Sequence, residues 1–131
     1  MAVKVVDASA LGALLFGEPG AREVARRLQG HRLVAPHLLP FELASIGRKK
    51  VIRHGVDLGS VLRALQVFER MAVDRIEVAL TGLVSVAERT GLTPYDASYL
   101  WLAERLEAEL ITLDHQLETG ARRQQKERGG S

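Results

Sequence analysis

Asp7, Glu42, Asp96 and Asp114 are the residues of this chain whose type and placement could do chemistry. Asp7 closes the apolar run Val3-Lys4-Val5-Val6, and Asp114 closes Glu109-Leu110-Ile111-Thr112-Leu113. Asp96 falls in the first turn of a helix opened by Thr93-Pro94, and Glu42 lies early in a helix entered through Pro36 and Pro40. If the strands run parallel, their carboxyl ends share one edge of the sheet, where α/β folds build their sites. Carboxylates crowded there repel one another, so either some hold protons or a divalent cation binds among them. Mg²⁺ and Mn²⁺ favour hard oxygen donors, and such an ion activates water and stabilises charge developing on a phosphate. The pattern points to metal-dependent phosphodiester hydrolysis.

Each acid taken singly has a structural explanation. Asp7 can cap the helix that starts at Ala8, and Asp114 the last helix. Thr93-Pro94-Tyr95-Asp96 fits a capping box, with Thr93 at the N-cap, Pro94 in the first helical position and Asp96 in the third. Glu42 can be one more solvated glutamate. Capping and catalysis are compatible, because a helix N-terminus holds a carboxylate in place.

The elements that must position these acids alternate. Residues 2–6 read as a buried strand. A helix follows from Ala8 to Phe16, broken by Gly17-Glu18-Pro19-Gly20, and a second runs from Gly20 to Gln29. Leu33-Val34-Ala35 reads as a strand stopped by Pro36, and a long helix covers residues 38–53 before the glycine cap at Gly55. Leu58, Val61, Leu62, Leu65 and Phe68 mark another amphipathic helix, and Arg75-Ile76-Glu77-Val78 a third strand. Helices are expected from Leu80 to Gly91 and from Pro94 to Leu106, then a strand over 109–112 and a short helix after Asp114. Strands alternating with helices predict a parallel sheet covered on both faces.

The 131 residues suit one domain with a real core, expected over residues 1–120 with a polar basic tail over 121–131. There is no cysteine, so disulfides, thiolate metal sites and cysteine nucleophiles are excluded. No apolar stretch is long enough to span a bilayer, and no signal-like segment opens the chain, so a cytoplasmic location without membrane contact is expected. The formal charge is +2, and the tail from Arg122 carries four cations against Glu127, leaving the body at −1. Nucleic-acid binding is compatible with that tail, which is either a helical extension or disordered.

Four segments resemble a known family. Val5-Val6-Asp7-Ala8-Ser9-Ala10-Leu11, Pro40-Phe41-Glu42-Leu43-Ala44, Thr93-Pro94-Tyr95-Asp96-Ala97-Ser98-Tyr99-Leu100 and Leu110-Ile111-Thr112-Leu113-Asp114 look like the signature segments of PIN-domain ribonucleases. The nearest likeness is to the VapC toxins of type II toxin–antitoxin pairs, over about residues 2–118. The resemblance implies a PIN-like three-layer α/β/α sandwich with a short central parallel sheet of four to five strands. It also implies a Mg²⁺-dependent (or Mn²⁺-dependent) endoribonuclease, an RNA substrate, a homodimer and a cognate VapB-type antitoxin. Asp7 and Asp96 would be the main metal ligands, with Glu42 and Asp114 completing the acidic pocket and Thr112 and Ser9 as auxiliary hydroxyls. The family's usual final strand has no counterpart after Gly120.

On the helix of Glu42, Lys49 and Arg53 fall on the same stripe, a path for an RNA backbone leaving the pocket, with Arg48 and Lys50 nearby. Phe41, Tyr95, Tyr99 and Trp101 could stack on bases, although core packing or a dimer contact suits Phe41 and Trp101. Among the histidines only His115, beside Asp114, is placed near the pocket. One alternative is a catalytically silent PIN-like module that binds RNA or protein, but it predicts a lost pocket acid, and none is lost. A receiver-type phosphoacceptor would need an acidic pair at the first strand and a lysine after the last, and neither is present.

Overall fold

The computed structural model describes residues 2–129. Its order is β1 (Val3–Val6), α1 (Ala8–Phe16), α2 (Ala21–Leu28), β2 (Arg32–Pro36), α3 (Leu39–His54), α4 (Leu58–Arg70), β3 (Val73–Ile76), α5 (Leu80–Thr90), α6 (Pro94–Leu106), β4 (Glu109–Ile111) and α7 (His115–Gly129). Within the described residues the sheet has four strands, all parallel, in the order β3-β2-β1-β4. Val5 and Val6 point to opposite faces of β1, and both are fully buried, so helices cover the sheet on both sides. Helix α6 lies against β1, β2 and β4, with α5 and α7 packed on it, while α1 to α4 pack on one another. This is the expected α/β architecture.

Chain order creates the site's location. From β1 the connections step outward to β2 and β3, and the next returns across the sheet to place β4 on the other side of β1. The switch in direction falls between β1 and β4, where open α/β sheets hold ligands beyond their carboxyl ends. Val6 pairs with Ile111, and the Asp7 amide donates to the Ile111 carbonyl at 3.2 Å, carrying the register one step past the strands. Asp7 and Thr112 therefore emerge side by side.

Several elements depart from the expected bounds, β2, β3 and α7 for identifiable reasons. Strand β2 takes in Pro36, whose Cα partner is Ile76; as the last residue of the strand, it lacks an amide only where the ladder stops. Strand β3 is shifted two residues toward the N-terminus, running from Val73 to Ile76 and leaving out Glu77 and Val78, because the buried Val73 sits opposite Leu33 and fixes the pairing. The helix after Asp114 is not short. Gly120 does not end it, since Gly120 packs where a Cβ would lie 3.3 Å from Leu92 Cδ1, and good helix formers follow.

Helix α5 meets α6 through Gly82, over which the Trp101 indole lies so closely that a Cβ would strike Nε1 and sit 2.9 Å from Cδ1. Trp101 thus has the packing role expected of it. Replacing an exposed helical glycine by alanine normally stabilises by up to about 1 kcal/mol. Here overpacking dominates, and Gly82→Ala is expected to destabilise by about 1–3 kcal/mol in urea unfolding. An increase in stability would show that the helix contact yields freely.

Candidate active site

Four elements deliver the acids to one cleft of about 230 Å³, lined by Asp7, Ala8, Ser9, Glu42, Ser45, Ile46, Lys49, Asp96, Tyr99 and Asp114. Asp7 leaves β1 and caps α1: its Oδ1 accepts from the Ala10 amide at 3.0 Å and from Ser9 Oγ at 2.8 Å. Its Oδ2 accepts from Thr112 Oγ1 at 2.5 Å. Thr112 in turn accepts from the Asp114 amide, and Ser9 Oγ accepts from the Leu113 amide, both at 2.9 Å. Two hydroxyls thus tie the turn after β4 to the carboxylate at the end of β1. Asp114 caps α7 through Oδ1, which accepts from the Leu117 amide at 2.9 Å.

Asp96 sits differently. Thr93 caps α6 by accepting from the Asp96 amide at 3.2 Å, which is half of the expected capping box. No donor among the described residues reaches the Asp96 carboxylate, so both of its oxygens are left to the cleft. On α3, Glu42 Oε1 accepts from the Tyr99 hydroxyl at 2.6 Å. Tyr99 is only 1% exposed, so it cannot stack on a base; its hydroxyl fixes the glutamate instead. Sequence reasoning missed this role, although Tyr99 lies three residues after Asp96 and so on the same face of α6.

Crowding shows in the acid–base balance. Burial raises the Asp7 pKa above its ordinary range, the donors Thr112, Ala10 and Ser9 pull it back, and Asp114 pushes it up again. Glu42 is raised by burial, lowered by the Tyr99 hydrogen bond, and raised by the charges of Asp96 and Asp7. Asp96 is raised by burial and by Asp114. The Tyr99 hydroxyl is pushed far up by burial and by Glu42, so it stays a donor. No three acidic or histidine side chains among the described residues form a ready-made ion cage. The donor set nevertheless fits a hydrated hard cation, which takes one or two carboxylates directly and keeps several waters. Asp96, Glu42 Oε2 and Asp114 Oδ2 supply oxygens with no hydrogen-bond partner among the described residues.

Of the expected basic stripe, Lys49 lines the cleft and makes no ion pair among the described residues. Arg53 is exposed and lies outside the cleft wall. Lys50 is turned toward Glu18 at 3.1 Å, and Arg48 borders an apolar groove between α3 and α4. His115 is exposed and outside the cleft wall. Phe41, for which core packing or a dimer contact was expected, is not in the core: it is 79% exposed. A larger hollow of about 640 Å³ lies at the opposite end of β4, near Glu109. Its charged walls are largely committed to ion pairs, Arg27 with Glu109, Arg122 with Glu118 and Glu104 with Arg89, so the smaller cleft is the chemical candidate.

The sequence model of the PIN domain matches residues 4–122. The chain belongs to the PIN-domain family. This PIN domain is 41% identical over 115 residues to the VapC ribonuclease Mb0985 of Mycobacterium bovis, covering 86% of this chain and 87% of that protein. It is 30% identical over 118 residues to ribonuclease VapC3 of Pyrobaculum aerophilum, covering 86% and 90%. Among solved structures, PAE2754 from Pyrobaculum aerophilum superposes with a TM-score of 0.74 at 30% identity, over 91% of this PIN domain and 84% of that chain. Mycobacterium tuberculosis VapC20, described as a sarcin-ricin loop cleaving toxin, shares the fold at a TM-score of 0.63 and 13% identity, over 88% and 93%. No described helix of the PIN domain is long and apolar enough to cross a membrane.

The raised carboxyl groups make a signed prediction. A carboxyl whose folded pKa exceeds its unfolded value binds more protons folded than unfolded, so its charge opposes folding. That opposition is complete above the raised pKa and fades as pH falls through it toward the ordinary carboxylate range. The Asp96 carboxylate has no hydrogen bond among the described residues to lose, and burial and repulsion outweigh the favourable helix N-terminus. In EDTA at neutral pH, Asp96→Asn should raise Tm by about 1–3 °C, a gain that shrinks on acidification. A lower Tm for the variant at neutral pH would contradict this balance.

Proposed function

We propose that this PIN domain is a metal-dependent endoribonuclease, the toxin of a VapBC-type pair. The observation that carries the reading is the convergence of four carboxylates from four separate elements on one cleft at the switch point of the sheet. Its relatives bear the names of VapC ribonucleases, which supports RNA as the substrate.

Asp7 and Asp96 would hold the ion, with Glu42 and Asp114 binding a second ion or orienting water. When bound, Mg²⁺ or Mn²⁺ would make water a stronger nucleophile and stabilise the charge that develops on phosphorus-bound oxygens. The remaining work belongs to the chain. Thr112 and Ser9 hold the Asp7 carboxylate in one orientation at the cleft wall. Tyr99 holds Glu42 by one oxygen, and no donor among the described residues reaches the other. Lys49 offers its ammonium to a phosphate entering the negative cleft, and Arg53, one turn further along α3, to the next. A cationic side chain could occupy the same carboxylates, and that is how a VapB-type antitoxin would silence the site. A second copy of the chain is the remaining partner of this reading.

The test is an RNA cleavage assay with purified protein. Wild type should cleave with Mg²⁺ or Mn²⁺, stop in EDTA, and stop when the cognate antitoxin is added. Asp7→Asn and Asp96→Asn should both fall to the EDTA level while keeping a wild-type circular dichroism spectrum. Thr112→Val, which removes the hydroxyl orienting Asp7, should cut activity by about 10- to 100-fold. Cleavage that persists undiminished in EDTA would refute the mechanism.

A further inference from the structure

Strand β4 ends the sheet on one side, and the larger hollow of about 640 Å³ opens beside it. The walls come from α2 on one side and from α6 and α7 on the other, so the hollow wraps the outer edge of the strand. The Ile111 carbonyl accepts from the Asp7 amide, so Ile111, and with it Glu109 two residues earlier, directs its main-chain groups toward β1. Leu110, between them, directs its amide and carbonyl outward. Neither has a partner among the described residues. Outward main-chain groups of this kind are a template for another strand.

The charge around this edge has one sign in excess. Four glutamates line the hollow, Glu104, Glu107, Glu109 and Glu118, against two arginines, Arg27 and Arg122. Helix α6 also ends there, at Leu106, and presents the negative end of its dipole. Glu107 closes that helix at a φ of 51°, the one non-glycine residue with positive φ among the described residues. Glycine or asparagine normally takes this position, because a larger side chain strains it. Strain of this kind is kept where a residue serves a function.

We propose that the outer edge of β4 is a docking site for an extended, basic peptide segment of a partner protein, which adds a strand to the sheet. Leu110 gives its amide and carbonyl to the added strand, and alternate cationic side chains of that strand meet the glutamates of the rim. The chain's own basic tail does not fill this slot, because its cations lie on α7, which is helical to Gly129. A nucleic acid would bring phosphates to an excess of carboxylates, the wrong sign. The site lies at the far end of β4 from the acidic cleft and does not depend on the nuclease reading.

The experiment measures hydrogen exchange of the full chain, amide by amide, in NMR spectra. The probe is a soluble hexapeptide alternating lysine and valine, whose Kd is first read from resonance shifts. In the free chain the Leu110 amide should exchange much faster than that of Ile111, which lies within the ladder. At about ten times its Kd the peptide should slow Leu110 exchange by about 10-fold. A hexapeptide with glutamate in place of lysine should bind about 10-fold more weakly or worse. Glu107→Asn, which keeps a residue tolerant of positive φ, should weaken the basic peptide by about 2- to 5-fold. Resonance shifts that leave Leu110 exchange unchanged would overturn strand addition, and equal binding of the acidic peptide would overturn the charge matching. No binding at about 1 mM peptide would overturn the whole proposal. Protection of Leu110 that grows with protein concentration in the absence of peptide would overturn it too, by giving the edge to a second copy.

Discussion

The parallel pairing of β1 with β4 is the constraint on which the rest of the molecule depends. Lys4 to Val6 run beside Glu109 to Ile111, and the Asp7 amide extends the ladder by one bond. That register sets Asp7 against Thr112, and with it the hydroxyl network that orients the carboxylate and gathers the amides of Leu113 and Asp114. A slip of one residue would bring Lys4 or Asp7 into a fully buried valine position and move Asp7 away from the cleft. Burial of both valines therefore enforces the geometry of the acids. Packing and chemistry are fixed by the same few residues.

A cluster of like charges is a stability cost that the fold distributes unevenly. Asp7 is the most buried of the four acids and the best supplied with donors, so its charge is tolerated where an unsatisfied carboxylate would not be. Among the described residues no donor reaches the Asp96 carboxylate, Glu42 Oε2 or Asp114 Oδ2, and these oxygens carry the unrelieved repulsion. A site with its electrostatics left open to an incoming cation is a familiar exchange of stability for activity. It also explains the pairing of each acid with a helix N-terminus or a fixed hydroxyl: repulsion would otherwise turn the side chains outward.

Much of this was legible in the sequence because the elements carry strong local signals. Asp7, Thr93 and Asp114 are helix caps by residue type, glycine closes α1, α3 and α5, and the valine and isoleucine runs mark the strands. The four acids could be gathered on paper because a parallel sheet leaves its carboxyl ends at one edge. Other features depended on contacts between distant residues. The start of β3 follows from Val73 meeting Leu33, and the continuation of α7 from Gly120 packing on Leu92 and Leu100. Tyr99, expected as a possible base-stacking ring, is buried and holds Glu42, while Phe41, expected in the core or at a dimer contact, lies outside the core. Helical spacing gives a residue's azimuth, and which azimuth is covered depends on neighbours that only the fold supplies.

The central claim is that Asp7 and Asp96, from opposite ends of the sequence, serve one hydrated cation. Paramagnetic broadening by Mn²⁺ in NMR spectra of the isotopically labelled chain tests it without reference to activity. Substoichiometric Mn²⁺ should selectively broaden the amides around Ala10, Ala97 and Asp114 together, and Asp7→Asn should remove the effect at all three. Broadening confined to the neighbourhood of one acid, or scattered over the surface carboxylates and unchanged in the variant, would contradict a shared ion.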